Sequence, residues 1–91
     1  MAFKPITVTE EINGVKYTAQ YSGVSMINRF NDETEGKNAA AVDFLFKYIL
    51  VEPQIKDIDE YFGTNTKYMN KVIDFLGKVM NADPQYFPDN K

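Results

Sequence analysis

The feature that most constrains this chain is a nearly unbroken apolar run at residues 39–51. Within it, Asp43 and Lys47 are the only charged side chains. If the run forms a helix, its apolar side chains occupy two neighbouring faces, one formed by Val42, Leu45, Phe46 and Ile49 and the other by Ala41, Phe44, Tyr48 and Val51. A chain of 91 residues has little interior in which to bury both faces. Two interpretations stay open: the rest of the domain covers both faces, or part of this surface contacts a protein partner.

The bounds of this central helix follow from its flanking residues. Asn38 is a favourable N-cap, and the three alanines that follow it have the highest helix propensity. Pro53 disfavours helical geometry at the residue before it. The sequence therefore predicts a helix over residues 39–51.

An N-terminal β-hairpin is predicted at about residues 5–21. Residues 6–12 and 15–21 alternate between apolar and polar side chains, and Asn13 and Gly14 between them favour a type I′ turn. A two-residue turn predicts the cross-strand pairs Ile12–Val15, Glu10–Tyr17, Val8–Ala19 and Ile6–Tyr21, all on one face. Two strands alone are marginally stable, so we expect helices to cover this face.

The remaining elements are helical or irregular. We expect a helix at about residues 24–31, a polar loop at 31–38, and a connector at 55–63 that contains one helical turn and ends at Gly63. Thr64 or Asn65 caps a last amphipathic helix at about 65–82, in which Gly77 is expected to mark a close helix–helix approach; a flexible tail at 83–91 follows. The fold class predicted for this single domain, residues 1–91, is α+β: an N-terminal antiparallel β-hairpin packed against about three α-helices.

Composition argues against several functions. The chain contains no Cys and no His, so thiolate metal sites, disulfides and the usual general base are ruled out. Its net charge is -3 and Arg29 is its only arginine, which disfavours a nucleic-acid binder. No apolar run reaches the roughly 20 residues of a membrane span, and no signal-peptide pattern is present. We expect a cytoplasmic protein with no cofactor, no metal and no enzymatic activity.

The sequence contains two groups of acidic residues that are candidate sites. Asp32, Glu33 and Glu35 lack the ligand spacing of an EF-hand loop, so a solvated loop is the expected reading. A second group surrounds Pro53 and consists of Glu52, Asp57, Asp59 and Glu60. No nucleophile or cofactor motif accompanies it, which leaves a helix cap at Asp57 or Asp59, or an acidic contact for a basic partner.

In element order and hydrophobic pattern, the chain resembles the tail assembly chaperones of long-tailed (siphovirus-type) phages or prophages of Gram-positive bacteria. The resemblance rests on INGVKYTAQYSGV, then FLFKYILVEPQIKDIDEYF, then YMNKVIDFLGKVMN. In that family the form L-x-x-x-(V/I)-x-P-x-(V/I), followed by an Asp and an aromatic pair, precedes a final helix. Here Val51, Pro53 and Ile55 fit this spacing, Leu50 directly precedes Val51 whereas the leucine position itself holds Lys47, and Asp59, Tyr61 and Phe62 follow. The polar loop at 31–38 and the aromatic tail do not map onto the family.

The resemblance implies a non-enzymatic role. Such chaperones bind the tape-measure protein, keep it soluble and help tail-tube subunits assemble around it, and they are absent from the mature virion. The residues expected to contact the client are Phe44, Tyr48, Tyr61 and Phe62. Two alternatives stay open: a small phage-encoded inhibitor or decoy of a host defence protein, or a homo-oligomeric structural subunit whose seam is the central helix.

Overall fold

The fold is an antiparallel sheet packed against helices, as the sequence predicts. The computed structural model describes residues 3–89. The elements follow one another in the order β1 (Ile6–Ile12), β2 (Val15–Tyr21), α1 (Ser25–Thr34), α2 (Asn38–Phe44), a π-helical segment (Leu45–Ile49), β3 (Leu50–Glu52), α3 (Ile58–Phe62) and α4 (Thr66–Met80). The strand order in the sheet is β1-β2-β3, so the α+β class with an N-terminal hairpin is confirmed.

The hairpin has the predicted register. Asn13 and Gly14 both have positive φ, 52° and 80°, as the type I′ turn requires. All four predicted cross-strand pairs are present, from Ile12 with Val15 to Ile6 with Tyr21. Tyr17 and Ala19 on β2 are fully buried, whereas Ile6 near the outer end of β1 stays 44% exposed. The hairpin therefore covers the core mainly through its second strand.

The central helix is shorter than predicted, because its last residues form a third strand. α2 passes into the π-helical segment and the helical geometry ends at Ile49, after which Leu50 has the extended ψ of 125°. Leu50 pairs with Ala19 and Glu52 with Thr18, with a bulge between them. The bond between Glu52 and Pro53 is cis. Val51 is β-branched and the residue before a proline disfavours helical geometry, so this segment favours extended backbone. The free edge of β2 supplies the hydrogen-bond partners.

The start of the central helix also differs from the prediction. Lys37 occupies the N-cap position with extended backbone, and Asn38 is the first helical residue. No side-chain cap forms, so the expected N-cap role of Asn38 is wrong. α1 continues to Thr34, into the stretch expected to be a loop, and ends where Glu35 and Gly36 take positive φ.

The caps of the two C-terminal helices agree with the predictions. Asp57 accepts a hydrogen bond from the backbone N–H of Glu60 at 3.1 Å, and α3 ends at Gly63. Asn65 accepts one from the backbone N–H of Tyr68 at 3.1 Å. α4 ends at Met80, two residues before the predicted end, and buries Val72, Phe75, Leu76, Val79 and Met80.

The segment after α4 makes specific contacts with the domain. The Tyr86 ring packs edge-on against Phe75 at 5.4 Å between centroids, and its hydroxyl donates a hydrogen bond to Glu10. The Phe87 ring lies 5.2 Å from that of Tyr21. The flexible tail predicted for residues 83–91 is thus joined to the sheet by two aromatic side chains, and its last two residues lie outside the described part.

We expect Gly14→Ala to destabilise the protein by about 1 kcal/mol. Gly14 has φ of 80°, and a Cβ there would have no heavy atom within 4 Å, so the cost is purely conformational. Urea unfolding followed by circular dichroism measures it. Asn13→Gly is the control, since glycine accepts positive φ; an unchanged midpoint for Gly14→Ala would contradict the turn geometry.

Gly77→Ala should have the opposite effect and stabilise the protein by about 0.5–1 kcal/mol. Gly77 lies inside α4 with ordinary helical backbone, and a Cβ there would meet nothing within 4 Å. The expected close helix approach at Gly77 is therefore wrong. Urea unfolding again measures the effect. A lower midpoint for Gly77→Ala would mean that the new Cβ contacts a neighbouring group, which would contradict the open space at this position.

Candidate functional site

The four residues expected to contact a client occupy different environments. Phe44 is 4% exposed and Phe62 is 6% exposed, so both belong to the core. Tyr48 is half-buried, and Tyr61 is 40% exposed. An incoming protein can reach Tyr61 directly, but the rings of Phe44 and Phe62 are covered by other parts of the chain.

The cover over the second face of the central helix comes from α1. The Phe30 ring packs edge-on against Phe44 with 5.3 Å between centroids. The Arg29 guanidinium lies 4.2 Å from the centroid of the Tyr48 ring and also pairs with Glu33 on its own helix. A cation–π contact and an edge-on ring pair attach α1 to this face.

Tyr61 and Phe62 belong to an aromatic group that joins α3 to α4 and β2. The hydroxyls of Tyr17 and Tyr61 are hydrogen-bonded at 2.8 Å, and that of Tyr17 is also hydrogen-bonded to Tyr68. The Phe62 ring packs against Tyr68 at 5.3 Å and against Phe46 at 5.8 Å. We call Tyr17, Tyr61 and Tyr68 the tyrosine cluster.

Two hydroxyls of the tyrosine cluster, those of Tyr17 and Tyr68, have raised pKa values. Burial, reinforced by the hydrogen bonds to its two neighbours, raises the pKa of Tyr17 well above its ordinary value of 10.0. Burial also raises the pKa of Tyr68. The cluster is therefore stable in its neutral form, with the hydroxyls acting as hydrogen-bond partners for one another.

Three adjoining grooves surround the connector between β3 and α3, and we call them the connector grooves. Their volumes are about 500, 480 and 450 Å³, and Lys56 lines all three. The first lies between the central helix and the connector, the second reaches α4 at Met69, and the third ends at Tyr61. Asp43 and Ile58 line both the first and the second groove, and Ile55 lines both the first and the third.

The connector grooves are lined by apolar and charged side chains together, and we call the charged ones the rim residues. The apolar lining residues are Ala39, Val42, Phe46, Leu50, Ile55, Ile58 and Met69. The acidic rim residues are Asp43, Asp57, Asp59 and Glu60, whereas the basic ones are Lys47 and Lys56. Asp57 already accepts a hydrogen bond as the cap of α3. A lining that combines apolar side chains with an excess of carboxylates suits one face of a basic amphipathic segment.

The grooves coincide in part with the segment that carries the family resemblance. Leu50, Ile55 and Tyr61 belong to this segment and also line the grooves. Sequence reasoning missed Phe46, Ile58 and Lys56 as lining residues. The sequence signal for these residues was the apolar spacing on both sides of Pro53. These side chains line a groove only because the connector folds back beside the central helix.

Other candidate chemistry is not assembled in residues 3–89. No group of three or more acidic side chains there is placed to hold a metal ion. Glu33 pairs with Arg29, and Glu35 lies 4.0 Å from the Lys37 ammonium. Within the same residues, no helix has the length and apolar character needed to cross a membrane.

Comparison of the chain with protein-family models, with curated proteins and with solved structures yields no match.

The tyrosine cluster predicts loss of stability at alkaline pH. Because the folded-state pKa values of Tyr17 and Tyr68 are raised above the ordinary value near 10, the unfolded chain loses these two protons first as pH rises. The free energy of unfolding should therefore hold below about pH 10 and fall above it. Thermal unfolding from pH 8 to 11.5 tests this.

Tyr17→Phe is the informative variant in that titration. It should lower stability at neutral pH by about 1–2 kcal/mol, since two hydrogen bonds to the Tyr17 hydroxyl are lost, and it should flatten the alkaline decline. Tyr21→Phe removes a hydroxyl outside the cluster and serves as control. Equal alkaline slopes for Tyr17→Phe and wild type would contradict the role given to the cluster.

Proposed function

We propose that this protein is a non-enzymatic protein-binding module, a phage tail assembly chaperone that binds the tape-measure protein in the connector grooves. The observation that carries the proposal is a set of adjoining grooves around Lys56 whose lining combines apolar side chains with an excess of carboxylates. It adjoins the pattern by which the sequence resembles that family. In this proposal the chaperone acts in the cytoplasm of the bacterial host and does not remain in the mature virion.

The shape of the grooves supports a helical client. A helix binds a groove through side chains at positions i, i+3, i+4 and i+7, and these need a continuous apolar strip rather than one deep pocket. In the connector grooves, the partly exposed side chains of Val42, Ile58 and Met69 are available for such contacts. Tyr61, at the end of the third groove, adds an exposed aromatic side chain of the kind that often anchors an interface.

The charge around the grooves supports a client segment with basic flanks. The four rim carboxylates outnumber the two lysines, and Asp43 and Asp59 line the second groove from opposite walls, one on the central helix and one on α3. Complementary charge across a rim raises the association rate and selects among partners more than it adds to affinity. A basic amphipathic helix of the tape-measure protein is accordingly the expected ligand.

The contacts first expected at Phe44 and Tyr48 are redefined by this proposal. Both residues lie under α1, so the client surface is assigned to the connector grooves, whose partly exposed apolar side chains are Val42, Ile58 and Met69. Phe46 and Leu50 also line the first groove, but each is only 6% exposed and supports the site from within the core. Of the four residues named from the sequence, Tyr61 remains a direct contact. Phe62 supports the site from beneath by packing on Phe46.

Co-expression with the tape-measure protein of the same phage or prophage tests the proposal. We expect the wild-type chain to keep that protein soluble and to be recovered with it. The double variant Asp43→Lys with Asp59→Lys should reduce recovery about tenfold or more, since it reverses charge on both walls of the second groove. Both side chains are exposed, so the fold should be retained, as circular dichroism can verify.

The matched control is the double variant Asp32→Lys with Asp89→Lys. It makes the same change in net charge at exposed positions outside the connector grooves. If recovery with the tape-measure protein falls equally in both double variants, the cause is the change in net charge and not the loss of binding in the connector grooves. A wild-type chain that leaves the tape-measure protein insoluble would overturn the proposal, and recovery of a host defence protein instead would favour the inhibitor.

A further inference from the structure

We infer that the outer edge of β1 is a self-association surface, on which β1 of a second copy pairs antiparallel about a twofold axis at Thr9. This goes beyond the proposed function and does not depend on it. β1 is the outer strand in the order β1-β2-β3. Thr9 is the middle residue of that seven-residue strand, so a twofold axis there allows all seven residues to pair.

The hydrogen-bonding groups on this edge follow from the register of the hairpin. A two-residue turn makes Ile12 and Val15 a hydrogen-bonded pair, and such pairs recur at every second residue. The N–H and C=O groups of Thr7, Thr9 and Glu11 therefore point away from β2. Pairing these three residues with the same three of a second copy forms about six backbone hydrogen bonds.

The two edges of the sheet differ in how they resist such pairing. β3 is three residues long, carries a bulge opposite β2 and is followed by Pro53, all of which blunt an edge. β1 is seven residues long, contains no proline and pairs with β2 without a bulge. A strand of this length without those three features is a template for another strand. Its two charged residues, Glu10 and Glu11, face Val8 and Thr7 of the second copy in the proposed register.

The side chains of β1 are self-complementary in this register. Thr9 faces Thr9 of the second copy, and Thr7 faces Glu11, so no two carboxylates lie directly opposite each other. Ile6, which is 44% exposed in one chain, faces Ile12 of the second copy and gains an apolar neighbour. A twofold axis at Glu10 or Glu11 would instead set identical charges against each other.

A groove at the far end of β1 provides room for the residues that precede the strand of the second copy. Its volume is about 290 Å³, and it lies between residues 10–13 and α4. In the proposed pairing, residues 3–5 of the second copy run past Ile12 into this groove. Its lining includes the carboxylates of Glu10, Glu11 and Asp74 beside Lys71 and Lys78, and Lys4 of the second copy adds a positive charge near them.

Single-cysteine crosslinking tests both the edge and the register, because the chain has no cysteine of its own. In Thr9→Cys the two Cα atoms at the twofold axis lie about 5.5 Å apart, within disulfide range. We expect a disulfide-linked dimer under mild oxidation. Thr7→Cys is the matched control, on the same edge and face, but its counterpart lies more than ~13 Å away.

Sedimentation velocity over a concentration series tests the association itself. Wild type should show a concentration-dependent dimer, and Thr9→Pro should remain monomeric, because proline removes an N–H that points away from β2. Circular dichroism tests whether Thr9→Pro folds. If this variant is unfolded, the comparison of Thr9→Cys with Thr7→Cys tests the inference instead. A wild-type chain that stays monomeric up to about 1 mM, or equal crosslinking of both cysteine variants, would overturn the inference.

Discussion

The central helix has apolar side chains on two neighbouring faces, and the rest of the fold is arranged to cover both. β2 and α4 cover the first face, where Leu45, Phe46 and Ile49 are buried. α1 covers the second through the contacts of Phe30 and Arg29 with Phe44 and Tyr48. A small domain gains much of its stability from burying apolar area, so leaving either face uncovered would remove a large part of the core.

The tyrosine cluster determines where the connector lies. Tyr17 is fully buried on β2, and its hydroxyl is hydrogen-bonded to Tyr61 of α3 and Tyr68 of α4. α3 is only one turn long and contributes few buried side chains of its own, so these bonds and the Phe62 ring hold it against the domain. The connector grooves exist because α3 is held beside the central helix, where the Phe62 ring packs against Phe46.

Sequence reasoning was most successful where the determinants are local. The register of the hairpin follows from the dihedral angles that Asn13 and Gly14 favour, and the caps at Asp57 and Asn65 depend on residues three positions apart. It failed at Leu50–Glu52, where helical propensity and strand pairing compete. The apolar periodicity of the helix continues through Leu50, but the open edge of β2 offers backbone partners that periodicity does not reveal.

The same distinction applies to the candidate site. The apolar run at residues 39–51 predicts a helix with more apolar surface than one face of a core requires. The resemblance indicates the segment around Pro53 as a second candidate region. Which of those side chains stay accessible depends on the path of the chain between elements. α1 lies over Phe44 and Tyr48, and the connector folds beside Phe46 and Leu50. The sequence by itself determined the hairpin, the caps at Asp57 and Asn65 and the apolar excess, because neighbouring residues set backbone preferences. Only the tertiary structure decided which apolar side chains are covered, because cover comes from residues distant in the chain.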